Sequence, residues 1–297
     1  MEVRKYLSFD IGGTSVKWGI LDESGMIHHK DQFSSNDGDS ETVLNGLREK
    51  IVEYKHDVNG VSISAPGFIN SPKGYIENGG TIKGFHGLHL QKMLEEEFPL
   101  KVSIENDANC AALAEKWLGK GKGSSDFLCI TIGTAVGGGL VLNDQLYSGH
   151  AFRAGEFGYM ITQGIQTNIP KNNSLNRVAS MKFLRAKYAE YYSMSLDDVT
   201  GEDIFRAYDD QDPVAIQMVE SFYQSLALGI YNLCSVLNPE KVLLGGAVTS
   251  RPSFLDELNR QLNYINQFWD IHLDRCHFRN DAGLVGAVAY YREKYEK

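Results

Sequence analysis

Cysteine is scarce in this chain. Only Cys110, Cys129, Cys234 and Cys276 occur among 297 residues, and no two form a CxxC pair. Such scatter argues against a disulfide framework and against a structural zinc site built on clustered cysteines. It fits buried, reduced thiols of a cytosolic protein. Long apolar runs are also missing, none approaching the roughly 20 residues that span a bilayer. The opening MEVRKYLSFDIGG runs straight into a strand pattern, without the apolar core or cleavage site of a signal peptide. A cytoplasmic protein with no membrane partner is expected. The Asn172-Asn173-Ser174 match to a glycosylation sequon is therefore a chance one. Positive charge is in the minority: 29 Lys and Arg face 38 Asp and Glu, a net charge of −9. An acidic surface repels polyphosphate backbones, so nucleic acid is not an expected partner, and the charge reads first as solubility. No GxxxxGK[ST] run is present, which excludes the Walker A phosphate loop.

What is present is ordinary for a globular protein. Hydrophobic residues make up 42% of the chain. The length suits one large or two moderate domains. Tyr6 to Phe9 reads as a strand, residues 10–14 as a turn and Val16 to Leu21 as a returning strand. Residues 41–54 place Val43, Leu44, Leu47, Ile51 and Val52 near one helical face. Val61 to Ser64 and residues 100–104 read as further strands, and a helix is expected from Ala108 to Trp117. The glycine-rich run 119–123 marks a domain boundary. Residues 127–142 repeat the strand, Gly/Thr turn, strand pattern of the first hairpin, which suggests two halves on one plan. Residues 163–174 read as polar loop. Helices are expected over 175–192, 213–237, 253–268 and 283–295, with a strand from Lys241 to Leu244. Strands alternating with helices give an α/β protein. Its expected domains are 1–118, with the closing helix of about 283–297 packed back on it, and 119–282.

Four constellations are suited to chemistry. In Asp10-Ile11-Gly12-Gly13-Thr14-Ser15-Val16-Lys17 the paired glycines let backbone amides approach an anion, and Thr14 adds a hydroxyl. Asp10, at a strand end, suits a magnesium ion or its water shell. A plain hairpin turn explains the glycines equally well. In Thr131-Ile132-Gly133-Thr134-Ala135-Val136-Gly137-Gly138-Gly139, glycines crowd a strand where they are normally avoided unless a ligand or backbone comes close. A bulged sheet edge is the simpler account, but two such loops in one chain are more specific than either alone. Asp107, in Glu105-Asn106-Asp107-Ala108-Asn109, falls at a strand-to-helix junction and is open to two readings. It is a helix cap, or it is the carboxylate that takes a proton from an acceptor hydroxyl. Glu156, in Ala154-Gly155-Glu156-Phe157-Gly158-Tyr159, is either a solvated loop residue or a bidentate partner for sugar hydroxyls. Gly245-Gly246 is either a turn or bare backbone for an adenine ring.

The order FDIGGTSVK, SAPG, ENDANCAALAE, TIGTAVGGG, AGEFGY, LLGGAV resembles the ROK family of repressors, open-reading-frame proteins and sugar kinases, over nearly the whole chain. That resemblance implies an α/β, actin/hexokinase-like (ribonuclease H-like) fold of two domains with a cleft between them. It implies ATP and Mg2+ as cofactors. Asp10, Gly12, Gly13, Thr14 and Lys17 match the first phosphate motif, and Thr131, Gly133, Thr134, Gly137 and Gly138 the second. Gly245 and Gly246 match the adenosine motif. Asp107 matches the catalytic base, and Gly67, Asn106 and Glu156 match sugar contacts. A homodimer is implied as well.

Two departures stand out. Most family kinases carry GExGH, whose His binds zinc and approaches the sugar; here Tyr159 holds that position. The cysteine-bearing zinc loop is replaced by about Gln163 to Ser174, which has no cysteine. No zinc site is expected, and the second Glu contact of that loop is lost. The zinc-lacking members that share FRAGEFGYM are similar to β-glucoside kinases, which phosphorylate the 6-hydroxyl of a non-reducing glucose unit. N-acetylmannosamine kinase and glucokinase are the alternatives within the kinases. A sugar-binding ROK regulator without catalysis is the non-enzyme alternative. A DNA-binding winged helix ahead of the first motif is not expected with nine residues before Asp10.

Overall fold

The computed structural model describes residues 3–165 and 170–296. Its first hairpin joins β1 (Lys5–Ile11) to β2 (Ser15–Asp22), antiparallel, with Asp10 opposite Lys17. The turn is closed by Gly12 N–H donating to Ser15 O at 3.0 Å. β3 (Ile27–Ser34) pairs outside β2. Asp39 caps α1 (Ser40–Tyr54) by accepting from the Thr42 N–H. β4 (Gly60–Ala65) follows, then a two-stranded ribbon of β5 (Phe68–Asn70) and β6 (Tyr75–Asn78), α2 (Leu90–Glu97), β7 (Lys101–Asn106) and α3 (Asp107–Leu118). The second hairpin is β8 (Phe127–Ile132) and β9 (Val136–Leu142), extended by β10 (Gln145–Leu146). After it come α4 (Leu175–Val178), α5 (Met181–Tyr191), α6 (Gly201–Asp209), α7 (Pro213–Leu237), β11 (Lys241–Gly245), α8 (Phe254–Ile265), β12 (Leu273–Arg275) and α9 (Ala282–Tyr295).

The first sheet runs β3-β2-β1-β4-β7 and the second β10-β9-β8-β11-β12. Counted within each sheet, both orders are the same. In each, the hairpin's first strand pairs on its other side with a parallel strand, β4 beside β1 and β11 beside β8. By contacts the chain forms two units. One contains Met1–Ser124, Gly139–Ala154 and His277–Lys297; the other contains Ser125–Gly138 and Gly155–Cys276.

Alternation along β1 decides what each face of the first sheet does. Leu7, Phe9 and Ile11 join Val61 and Ile63 of β4, Val43, Leu47 and Ile51 of α1, and Leu90 and Leu94 of α2 in one core. Tyr6 faces the other way, into a cluster with Ala114 of α3 and Leu284, Val285, Val288 and Tyr291 of α9. Each fully buried side chain of this size contributes roughly 1.5–3 kcal/mol. Ser8 and Asp10 share the Tyr6 side by period. Ser8 Oγ donates to Leu284 O at 2.8 Å, so α9 lies directly over the row that ends in Asp10.

Several elements depart from their expected bounds. The single helix expected over 175–192 is two, because Ser180 caps a new start by accepting from the Phe183 N–H. The helix expected to reach Phe268 stops at Ile265. There Asn266 turns the chain by exchanging hydrogen bonds with the Trp269 backbone. In the expected loop 163–174, Pro170–Asn173 forms a short 3-10 turn, and residues 166–169 lie outside the described residues.

Candidate active site

In the first unit, Asp10 sits near the end of β1 with both carboxylate oxygens engaged. Oδ1 accepts from Ser64 Oγ of adjacent β4 at 2.8 Å, and Oδ2 faces Lys17 Nζ at 3.6 Å. Lys17 Nζ also donates to Asn280 O at 3.1 Å. α9 begins against this carboxylate: a Cβ on Gly283 would collide with it, so only glycine permits the approach. Thr14, at the tip of the hairpin, is exposed.

β7 delivers Asn106 and Asp107 to the start of α3. Capping falls to Asn106, whose Oδ1 accepts from the N–H groups of Ala108 and Asn109 at 2.9 and 3.1 Å. Its Nδ2 donates to Gly67 O at 3.0 Å. Gly67 has φ +97°, and a Cβ there would strike Asn78 O. Asp107 is thereby left at the first helical position, accepting from the Ala108 N–H at 2.8 Å. Desolvation by the surrounding chain, and then the negative charge of Asp10, push its carboxyl up to about 6. The residue stays open to solvent, which limits how far the carboxylate is desolvated. Behind it, Glu105 is buried and accepts from the Asn106 N–H at 2.7 Å and from Asn109 Nδ2 at 3.0 Å. Burial raises its pKa.

In the second unit, parallel pairing sets Gly245 of β11 beside Thr131 of β8. The two glycine-bearing segments therefore end side by side. Gly133 N–H donates to Ala135 O at 2.9 Å, and the space where a Gly133 Cβ would point is open within 4 Å. Thr134 is exposed. Gly246 has φ +105°, and a Cβ there would strike Ile132 O. Gly137 is partly buried on β9, and Gly138 serves packing: a Cβ would run into the Phe157 ring. Phe157 belongs to a 3-10 turn, Phe157–Tyr159, that begins directly after half-buried Glu156.

Pattern reading did not single out Ser64 or Asn176. Asn176 Oδ1 accepts from the Val136 N–H at 2.6 Å, and its amide packs on Gly158. One side chain thus ties β9 to the turn that bears Glu156. Ser64 opens the SAPG motif, which assigns it no role, and Asn176 lies in no motif, so only the pairing of β1 with β4 and the chain fold around α4 show what they do. Among the described residues, no group of three or more His, Cys, Asp or Glu side chains is placed to hold a metal ion.

The ROK family profile matches residues 6–294. The chain belongs to the ROK family. A β-glucoside kinase of Listeria monocytogenes is 41% identical over 98% of each chain. A solved structure from the same species, described as a proposed N-acetylmannosamine kinase, superposes with a TM-score of 0.93 at 40% identity, covering 99% of this chain and 100% of that one. A ROK glucokinase from Streptomyces griseus, solved with glucose and AMPPNP, gives a TM-score of 0.82 at 26% identity over 97% and 99%. The ROK fold is the two-domain actin/hexokinase-like one, and the repeated sheet order above is its framework.

Proposed function

We propose that this ROK protein is an ATP-dependent sugar kinase that phosphorylates the 6-hydroxyl of the non-reducing glucose of β-glucosides such as cellobiose. The observation that carries the chemistry is Asp107. It lies one residue past the capping Asn106, with a pKa raised toward neutrality by desolvation and then by the charge of Asp10. A base with those properties accepts the hydroxyl proton as the bond to phosphorus forms. Asn106, the Gly67 backbone and Glu156 orient the sugar. Gly12, Gly13, Thr14 and Lys17, and likewise Thr131, Gly133, Thr134, Gly137 and Gly138, border the phosphates. Gly245 and Gly246 offer bare backbone to the adenine.

Magnesium fits Asp10. Among the described residues no group of three or more ligand side chains gathers there, which matches an ion held mainly by substrate phosphates and water. Bound there, the ion neutralises charge on the transferring phosphoryl group. Ser64 and Lys17 hold the Asp10 carboxylate in place for it. No zinc is needed in this account. We take residues 1–118 with the closing helix of about 283–297, and 119–282, as its domains, and the protein as a cytoplasmic homodimer.

The choice of sugar rests on the β-glucoside kinase relatives and on Tyr159 with its cysteine-free neighbour segment. Losing the zinc loop leaves room for a β-linked aglycone at the anomeric end. The N-acetylmannosamine reading stands second because of the solved Listeria relative. A coupled ADP-release assay with MgATP and equal concentrations of cellobiose, glucose and N-acetylmannosamine separates them. Preference for cellobiose is expected; preference for either monosaccharide would overturn the β-glucoside assignment and leave the kinase chemistry intact.

A further inference from the structure

Tyr159 is a large aromatic residue, 64% exposed, on a turn held in place by packing. Phe157 anchors the turn inward at 4% exposure, with its ring against Gly138. Gly158 is wedged so closely between the Asn176 amide and Val136 O that no side chain fits there. Tyr159 N–H donates to Glu156 O at 3.1 Å, closing the turn. That bond keeps the backbones of Glu156 and Tyr159 together across the turn. Ile161, two residues on, is 42% exposed and extends the apolar surface beyond the ring.

We propose that Tyr159 is the platform on which the aglycone ring of a β-glucoside rests while Glu156 holds the glucose to be phosphorylated. This rests on the β-glucoside reading above and names the residue that reads the second ring. The chemistry is complementary. A β-linked glucosyl unit carries its hydroxyls around the rim and C–H bonds on both faces, and such a face packs on the electron-rich face of an aromatic ring. An aryl aglycone stacks there by offset packing. The turn's rigidity matters because a platform already in place costs little ordering when the sugar binds.

The test compares wild type with Tyr159→Ala, Tyr159→Ser and Tyr159→Phe. The measured quantity is the ratio of kcat/KM for cellobiose to that for glucose. Alanine and serine should each lower the ratio by about tenfold or more, whereas phenylalanine, which keeps the ring, should hold it within about twofold. A ratio unchanged in both Ala and Ser variants, with their melting curves matching wild type, would overturn the platform while leaving the kinase assignment standing. Failure of the wild-type protein to phosphorylate cellobiose at all would instead remove the β-glucoside reading, and the platform with it.

Discussion

At the scale of single residues, the account turns on how β7 and α3 share out the work of Asn106 and Asp107. Both are cap-forming types, so sequence alone leaves either in the capping role. In the structure Asn106 takes it, with both ends of its amide engaged, and Asp107 is left open to solvent. Asp107→Asn removes the proposed base but keeps size and polarity. It should lower kcat by about 10²–10⁴-fold, with sugar affinity within about threefold by calorimetry. Turnover near the wild-type value would take the base role away from Asp107. The pH profile follows from the same group. The base works deprotonated, so kcat/KM should level off above pH 6 and fall about tenfold per unit below the Asp107 pKa of about 6. An acid limb centred near the ordinary aspartate value, about 3.9, would mean that neither desolvation nor Asp10 perturbs it. Asp10, Asp107 and the glycine loops were legible from the sequence as candidates. Ser64 was not, because a buried serine announces nothing until β4 is set against β1.

At the scale of elements, strong periodicity was readable and edge structure was not. The β1–β2 hairpin and the apolar face of α7 follow from their patterns, and α7 spans Pro213–Leu237 as read. β3 did not, since its residues IHHKDQFS are almost all exposed and it is held by backbone pairing to β2. α6 was also passed over, although Thr200 and Asp203 form a capping box at its start. The consequential element is the turn after Glu156, which Asn176 and the packing of Phe157 on Gly138 attach to β9. Asn176→Ala leaves the Val136 N–H without that acceptor, a loss of about 1–3 kcal/mol if no water replaces it. The expected outcome is a lower melting temperature and a raised sugar KM, with kcat less affected. A variant whose KM for sugar is unchanged would show that the turn holds Glu156 without this tether.

At the scale of the whole molecule, two sheets of one strand order place a glycine-bearing hairpin at the start of each. That repetition was visible in the sequence as two echoing motifs, and the ROK family match extends it over residues 6–294. Which sugar is phosphorylated was less legible. In the proposal above it turns on Tyr159 and the residues after it, where a family pattern is lost and not gained. The central claim is that phosphate passes from ATP to a defined hydroxyl of a disaccharide. The most direct measurement is nuclear magnetic resonance of the product formed from MgATP and cellobiose. The account predicts a single phosphorylated species, with phosphorus coupled to the 6-position of the non-reducing glucose and the β-linkage intact. Phosphate at any other position, or no product from cellobiose under conditions in which a monosaccharide is phosphorylated, would contradict it.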